Sequence, residues 1–181
     1  MKYTLGVDIA YRKSGVVLVD EVENIVYYET FTIPAKVEYT DAVLEIYEKM
    51  RTILAFVVKK FSPNQLTVVM EDVAGFVNIK PALAIHAART AAVLAYHSSH
   101  LSNKTIVYYS PNEVKHWLTG KRGAKKEEVL SSLYALFPQF DYSVLGEDEI
   151  DSLALVLYHL KGVKSDNTVR RAKRKRVSRR S

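Results

Sequence analysis

The chain has 181 residues, 48% of them apolar, and no cysteine, which suits one domain with a sizeable core and excludes a disulfide frame or a thiolate metal centre. Its formal charge of +6 is uneven: residues 164–181 carry nine of the 26 Lys/Arg and one of the 20 acids, leaving 17 basic and 19 acidic residues in 1–163. No apolar run approaches the about 20 residues of a membrane span and the N-terminus lacks a signal-peptide layout, so the expectation is a cytoplasmic protein with no membrane contact.

Residues 2–9 alternate, with Tyr3, Leu5, Val7 and Ile9 on one face, and read as a strand that reaches an acid at Asp8. A turn through Arg12, Lys13, Ser14 and Gly15 leads to two more strands, over 16–19 and 25–33, joined by a hairpin at Glu23-Asn24. Thr40 and Asp41 offer a helix start. The apolar residues Val43, Ile46, Tyr47, Met50, Ile53, Leu54, Val57 and Phe61 follow at helical spacing up to Pro63. A short buried strand over 66–70 again meets an acid, Glu71. After a loop containing Gly75 comes an alanine-rich helix over 81–100, whose small residues would let another helix approach closely.

The next strand spans 105–109. Ser110-Pro111-Asn112-Glu113 is a capping box with proline at the first helical position, and that helix stops at Gly120. The loop Gly120-Lys121-Arg122-Gly123 precedes a helix over 124–137. A last helix begins at Gly146 with Asp148 and Asp151 in its first turns. Strands alternating with helices from residue 40 onward predict an α/β sandwich with a mixed sheet. The tail from Arg170 to Arg180 has too little apolar content to fold alone.

Residues three apart on a helix share a face, so Asp148 and Asp151 repel unless a cation or proton lies between them. Asp8 and Glu71 sit at strand ends, where α/β sheets present groups to a ligand crevice. Four convergent carboxylates require divalent cations, and oxygen-only ligands favour Mg²⁺, or Mn²⁺ in its place, over zinc. Such a site matches two-metal phosphodiester hydrolysis, with two ions per active site. The alternative for the helix acids is that they merely favour a helix N-terminus. Lys126 in the first turn of its helix opposes the macrodipole, which an anionic phosphate would explain; a solvated charge run over 125–128 is the other reading.

In order along the chain, Gly6-Val7-Asp8 with Arg12 and Gly15, Val69-Met70-Glu71-Asp72-Val73, and Ala88-Arg89 come first. Val114-Lys115, Thr119-Gly120, Gly123-Ala124 with Lys126 and Val129, and Asp148-x-x-Asp151-Ser-Leu-Ala-Leu complete the set. Together they resemble the RuvC-type Holliday junction resolvases of the ribonuclease H-like superfamily. The resemblance implies a mixed five-stranded sheet flanked by helices over 1–163; residues 164–181, an addition to the family pattern, read from their charge as a basic nucleic-acid-binding tail. It implies a homodimeric, Mg²⁺-dependent endonuclease that resolves four-way DNA junctions by symmetric paired nicks, in a bacterial or phage-infected cell. Asp8, Glu71, Asp148 and Asp151 would then bind the metals, with Lys126 and Lys115 at the scissile backbone. DNA contacts are expected from Arg12, Lys121, Arg122, Lys125 and the tail residues Arg170, Arg171, Lys173 and Arg174.

Two departures from the family pattern stand out. Ile9-Ala10 follows the first aspartate where the family has Pro-Gly. The family's aromatic wedge position is Ala74, so Phe76 is the candidate for stacking on an opened base pair. His159 resembles a family histidine and reads as a hydrogen-bonded core residue. The alanine-rich helix is the expected dimer contact, and a branch-migration helicase partner is left open. A nuclease of forks, flaps or RNA-containing structures, a catalytically silent nucleic-acid binder and an actin-like phosphotransferase are the alternatives. Ile9-Ala10 speaks against the last, whose phosphate loop requires glycines there.

Overall fold

Strand β1 (Lys2–Asp8) is buried on both faces, Thr4 through Val7 included, and this puts it in the middle of the sheet. The computed structural model describes residues 1–72, 79–101 and 103–163. With β2 (Lys13–Asp20), β3 (Ile25–Thr32), β4 (Gln65–Glu71) and β5 (Lys104–Tyr109), β1 forms a five-stranded sheet in the order β3-β2-β1-β4-β5. The first three strands are an antiparallel meander, whereas β4 and β5 run parallel to β1. The mixed five-stranded sheet flanked by helices expected from the sequence is thus the one that forms.

Helices α1 (Tyr39–Phe61) and α2 (Ile79–Ser98) cover one face. In α1 the buried residues Ala42, Ile46, Met50, Ile53, Leu54 and Val57 recur at helical spacing, and the helix ends where Ser62 turns left-handed before Pro63. The alanines Ala88, Ala91, Ala92 and Ala95 are buried in this same core cluster, where α2 meets α1 and the sheet. The close approach that small residues permit is therefore used inside the chain.

The other face is covered by α3 (Pro111–Thr119), α4 (Lys126–Leu136) and α5 (Glu147–Leu157), packed on Val17, Val19 and Val69. The capping box at Ser110 and Glu113 starts α3, and Gly120 ends it at φ 75°. Helix α4 begins two residues later than expected, because the Lys125 N–H is held by the Glu128 carboxylate at 2.9 Å while Ala124 enters the core. Helix α5 has all of Ser152 through Leu157 buried, and each leucine so removed from water contributes about 1.5–3 kcal/mol. It passes directly into a π-helical turn, Tyr158–Gly162. No helix among the described residues is long and apolar enough to cross a membrane.

Candidate active site

The parallel register pairs Val7 with Met70, so the next residues on the two strands, Asp8 and Glu71, emerge side by side at one end of the sheet. The Asp72 N–H donates to the Tyr109 carbonyl oxygen at 2.7 Å and carries the β4–β5 pairing one residue past Glu71. The antiparallel register sets Gly15 of β2 opposite Asp8. Helix α5 then lies against this corner with no room to spare: a Cβ on Gly6 would collide with the Ser152 carbonyl oxygen, and one on Gly15 with the Asp148 backbone.

Ser152 fastens the corner. Its hydroxyl, fully buried, accepts the Asp8 N–H at 2.9 Å and donates to the Gly15 carbonyl oxygen at 2.8 Å. One side chain thereby joins β1, β2 and α5 at the residue that carries the first acid. Ser152→Ala leaves a buried N–H and C=O unsatisfied, which costs about 1–3 kcal/mol. A lowered urea midpoint with an unchanged slope is the expected result; an unchanged midpoint would show that the two hydrogen bonds carry no net stability.

The four sequence-selected acids meet electrostatically at this corner. Burial, then the charges of Glu71, Asp151 and Asp148, push the Asp8 carboxyl up to about 7, against the pull of Lys126. Glu71 is raised by burial and by Asp151, and opposed by Lys115, Arg89 and Lys126. Asp151 is raised chiefly by burial, while Lys126 pulls it down from 3.4 Å. The Lys126 ammonium, itself raised by Asp151, also lies 3.5 Å from Glu147.

Two clefts adjoin the corner and share Glu71. One, of about 430 Å³, is lined by Asp8, Glu71, Asp72, Arg89, Ser110 and Asn112. The smaller holds Glu71, Lys115, Lys126 and Asp151. A groove of about 450 Å³ between β3 and α1, lined by Tyr27, Glu29, Glu48 and Phe56, contains none of these site residues.

The flanking acids on α5 have separate duties, which fixes the helix register. Glu149 is buried and its carboxylate accepts the Gly146 N–H at the helix start. Glu147 is 79% exposed on the outside of the turn. Asp148 and Asp151 remain as the inward pair. Among the described residues no three Asp, Glu or His side chains are gathered at ligand spacing. Two of the acids are paired with lysines instead, Asp151 with Lys126 at 3.4 Å and Asp148 with Lys13 at 2.5 Å. A carboxylate donor set of this kind fits a hard divalent cation.

The cations chosen from the sequence divide into groups. Lys115 and Lys126 line the small cleft beside Glu71 and Asp151. Lys121 is held by Glu128 at 2.5 Å, and Arg122 and Lys125 are exposed on the loop that precedes α4. Arg12 is engaged within its own chain. Its guanidinium donates to the carbonyl oxygens of Pro34 and Val37 at 2.8 and 3.3 Å and lies over the Tyr11 ring, so it braces its own loop. Phe76, Arg170, Arg171, Lys173 and Arg174 fall outside the described residues. His159 shares a 2.7 Å hydrogen bond with the Tyr109 hydroxyl.

Lys13 and Ser152 were not singled out from the sequence. For Lys13 a signal existed: it lies two residues before Gly15, so its side chain leaves β2 on the face that meets α5. Ser152 follows Asp151 directly, and only the docking of α5 on β1 gives its hydroxyl two partners.

Comparison with known proteins matches the arrangement. Residues 4–159 match the family model described as "Crossover junction endodeoxyribonuclease RuvC". The protein of that name from Oleidesulfovibrio alaskensis is 30% identical over 159 residues, 86% of this chain and 89% of the relative. Its counterpart from Brachyspira hyodysenteriae is 28% identical over 163 residues, 86% of this chain and 92% of the relative. Among solved structures, T. thermophilus RuvC in complex with a Holliday junction substrate superposes with a TM-score of 0.69. It covers 88% of this chain and 93% of that one, at 18% identity, a likeness of fold. With the family model spanning most of the described chain and a relative at 30% identity along nearly its whole length, the chain belongs to the crossover junction endodeoxyribonuclease RuvC family.

Proposed function

We propose that this protein is a divalent-metal-dependent endonuclease that cuts four-way DNA junctions by paired, symmetric nicks. The observation that carries the reading is the electrostatic meeting of Asp8, Glu71, Asp148 and Asp151 at one end of the sheet, bordered by Lys126, Lys115 and Arg89. These four acids would hold two Mg²⁺ ions, with Mn²⁺ able to replace them. Bound there, the ions would activate a water and stabilise the leaving oxygen of the phosphodiester.

The rest follows from side chains. Lys126, 63% exposed and balanced between Asp151 and Glu147, can turn its ammonium to a phosphate once Asp151 is otherwise neutralised. Lys115 and Arg89 flank Glu71 from α3 and α2 and supply positive charge to the strand lying in the clefts. Lys121, Arg122 and Lys125 extend that charge along the loop before α4, and the tail residues Arg170, Arg171, Lys173 and Arg174 add sequence-independent affinity through counterion release. Phe76 is the candidate for stacking on a base at the crossover.

Two like-polarity cuts need two sites related by a two-fold axis, hence a homodimer. Leu83 and Leu94 share one face of α2 and are 59% and 55% exposed, and they are proposed for the contact. The double variant Leu83→Asp/Leu94→Asp is expected to sediment as a monomer and to lose paired nicking. A dimer that survives both changes places the interface elsewhere.

The test of function is incubation with a synthetic four-way junction, a fork and a linear duplex, with Mg²⁺ or EDTA. Paired nicks on the junction alone, only with metal, are the expected result. Equal cutting of forks and flaps would make the protein a general branched-DNA nuclease. Binding with no cut in any divalent metal would make it a silent binder.

A further inference from the structure

We propose that Lys13 is a removable counter-ion of the metal site: its ammonium occupies Asp148 in the metal-free protein and competes with a divalent cation for that carboxylate. This rests on the reading of Asp148 as a metal ligand. Lys13 opens β2 and shares a strand face with Gly15, the glycine at which a Cβ would collide with the Asp148 backbone. The Lys13 ammonium therefore arrives beside Asp148 by strand geometry, and the two side chains meet at 2.5 Å.

The partners differ in freedom. The Asp148 side chain is 19% exposed and fixed on the first turns of a buried helix, whereas that of Lys13 is 52% exposed. A divalent ion that takes the Asp148 Oδ2 now paired with Lys13 would displace the ammonium, because two cations at one oxygen repel. Lys13 is the member able to leave, since its head group re-enters water with little loss. Glu147 and Glu149, the other acids whose charge reaches Lys13, belong to the same helix turn and keep the ammonium nearby when it has left.

Lys126 plays the matching part at Asp151, so each of the two inward acids of α5 has a lysine of its own. The pairing lessens the repulsion among the acids when metal is scarce without abolishing it. It also sets a threshold: the cation must be concentrated enough to displace the lysines before the site assembles.

The competition is measurable without DNA and without turnover. Free Mn²⁺ is followed by its EPR signal while it is titrated into the full chain at low ionic strength. The proteins compared are wild type, Lys13→Gln, Lys13→Met, Lys13→Arg and Asp148→Asn. An exposed ion pair contributes little, so Lys13→Gln and Lys13→Met are expected to bind Mn²⁺ on the order of two- to five-fold more tightly than wild type. The gain should shrink as salt is added, because screening weakens the pair it removes. Lys13→Arg, which keeps the charge, should bind like wild type.

Asp148→Asn should bind more weakly. If it does while both neutral Lys13 variants bind no more tightly than wild type, Lys13 is no competitor and this inference alone falls. If Asp148→Asn binds Mn²⁺ as wild type does, Asp148 is not a ligand, and both the ligand assignment and the inference are overturned.

Discussion

Asp8→Asn protein binds a four-way junction and does not cut it: the nicking rate is expected to fall at least about 10³-fold, the equivalent of several kcal/mol of transition-state stabilisation. Asp8 is the acid on which the others converge, feeling Glu71, Asp151 and Asp148 in turn. Its backbone N–H is already fixed by Ser152, so the amide substitution changes charge without moving the strand. Junction affinity in EDTA should be kept or improved, because one negative charge is removed from the surface that faces phosphate. Gel-shift binding together with a cleavage time course separates the two quantities. Cleavage at a wild-type rate by Asp8→Asn would end the proposal that this corner is the catalytic site.

The second large effect is on stability and has the opposite sign to ordinary acid denaturation. The Asp8 carboxyl titrates near 7 in the folded chain against a reference value of 3.8. Between those values the folded protein keeps a proton that the unfolded chain has lost. The contribution favours folding at low pH and is lost as pH rises through about 4 to 7. At about 1.36 kcal/mol per unit, the full loss from Asp8 is roughly 4 kcal/mol above pH 7. Glu71 and Asp151, also raised, act in the same direction.

Metal-free wild type should therefore be less stable than Asp8→Asn at pH 8, with the difference closing toward pH 4. Urea unfolding of both proteins across that range in EDTA measures it. Mg²⁺ should recover much of the wild-type deficit at pH 8, since ligand at 100 times its dissociation constant adds about 2.7 kcal/mol, and its binding should strengthen as pH rises. Parallel pH curves for the two proteins would show that Asp8 is not held in an acidic, buried cluster.

Much of this was legible in the sequence because it is local. Alternation fixed β1, the capping box at Ser110 and Glu113 fixed the start of α3, and the apolar body after Gly146 fixed α5. The positions of Asp8 and Glu71 at strand ends, and of Asp148 and Asp151 three residues apart, follow from the same short-range pattern. So does the uneven charge that separates residues 1–163 from 164–181.

What the sequence left open is non-local. Whether α5 meets β1 was decided by Gly6 and Gly15, which lie 146 and 133 residues before Ser152 and Asp148 and whose missing side chains let helix and sheet touch. The two bonds of the Ser152 hydroxyl, to residues 144 and 137 positions away, exist only after that contact. Arg12 and Lys13 are neighbours of like charge, and only their register relative to Gly15 distinguishes the one that faces the acids. The alternation of β2 sends Lys13 to Asp148, and the loop carbonyls of Pro34 and Val37 hold Arg12. Periodicity along a chain reports which side of an element is buried; only packing between elements determines which charges become neighbours, because an electrostatic partner is chosen by distance in space.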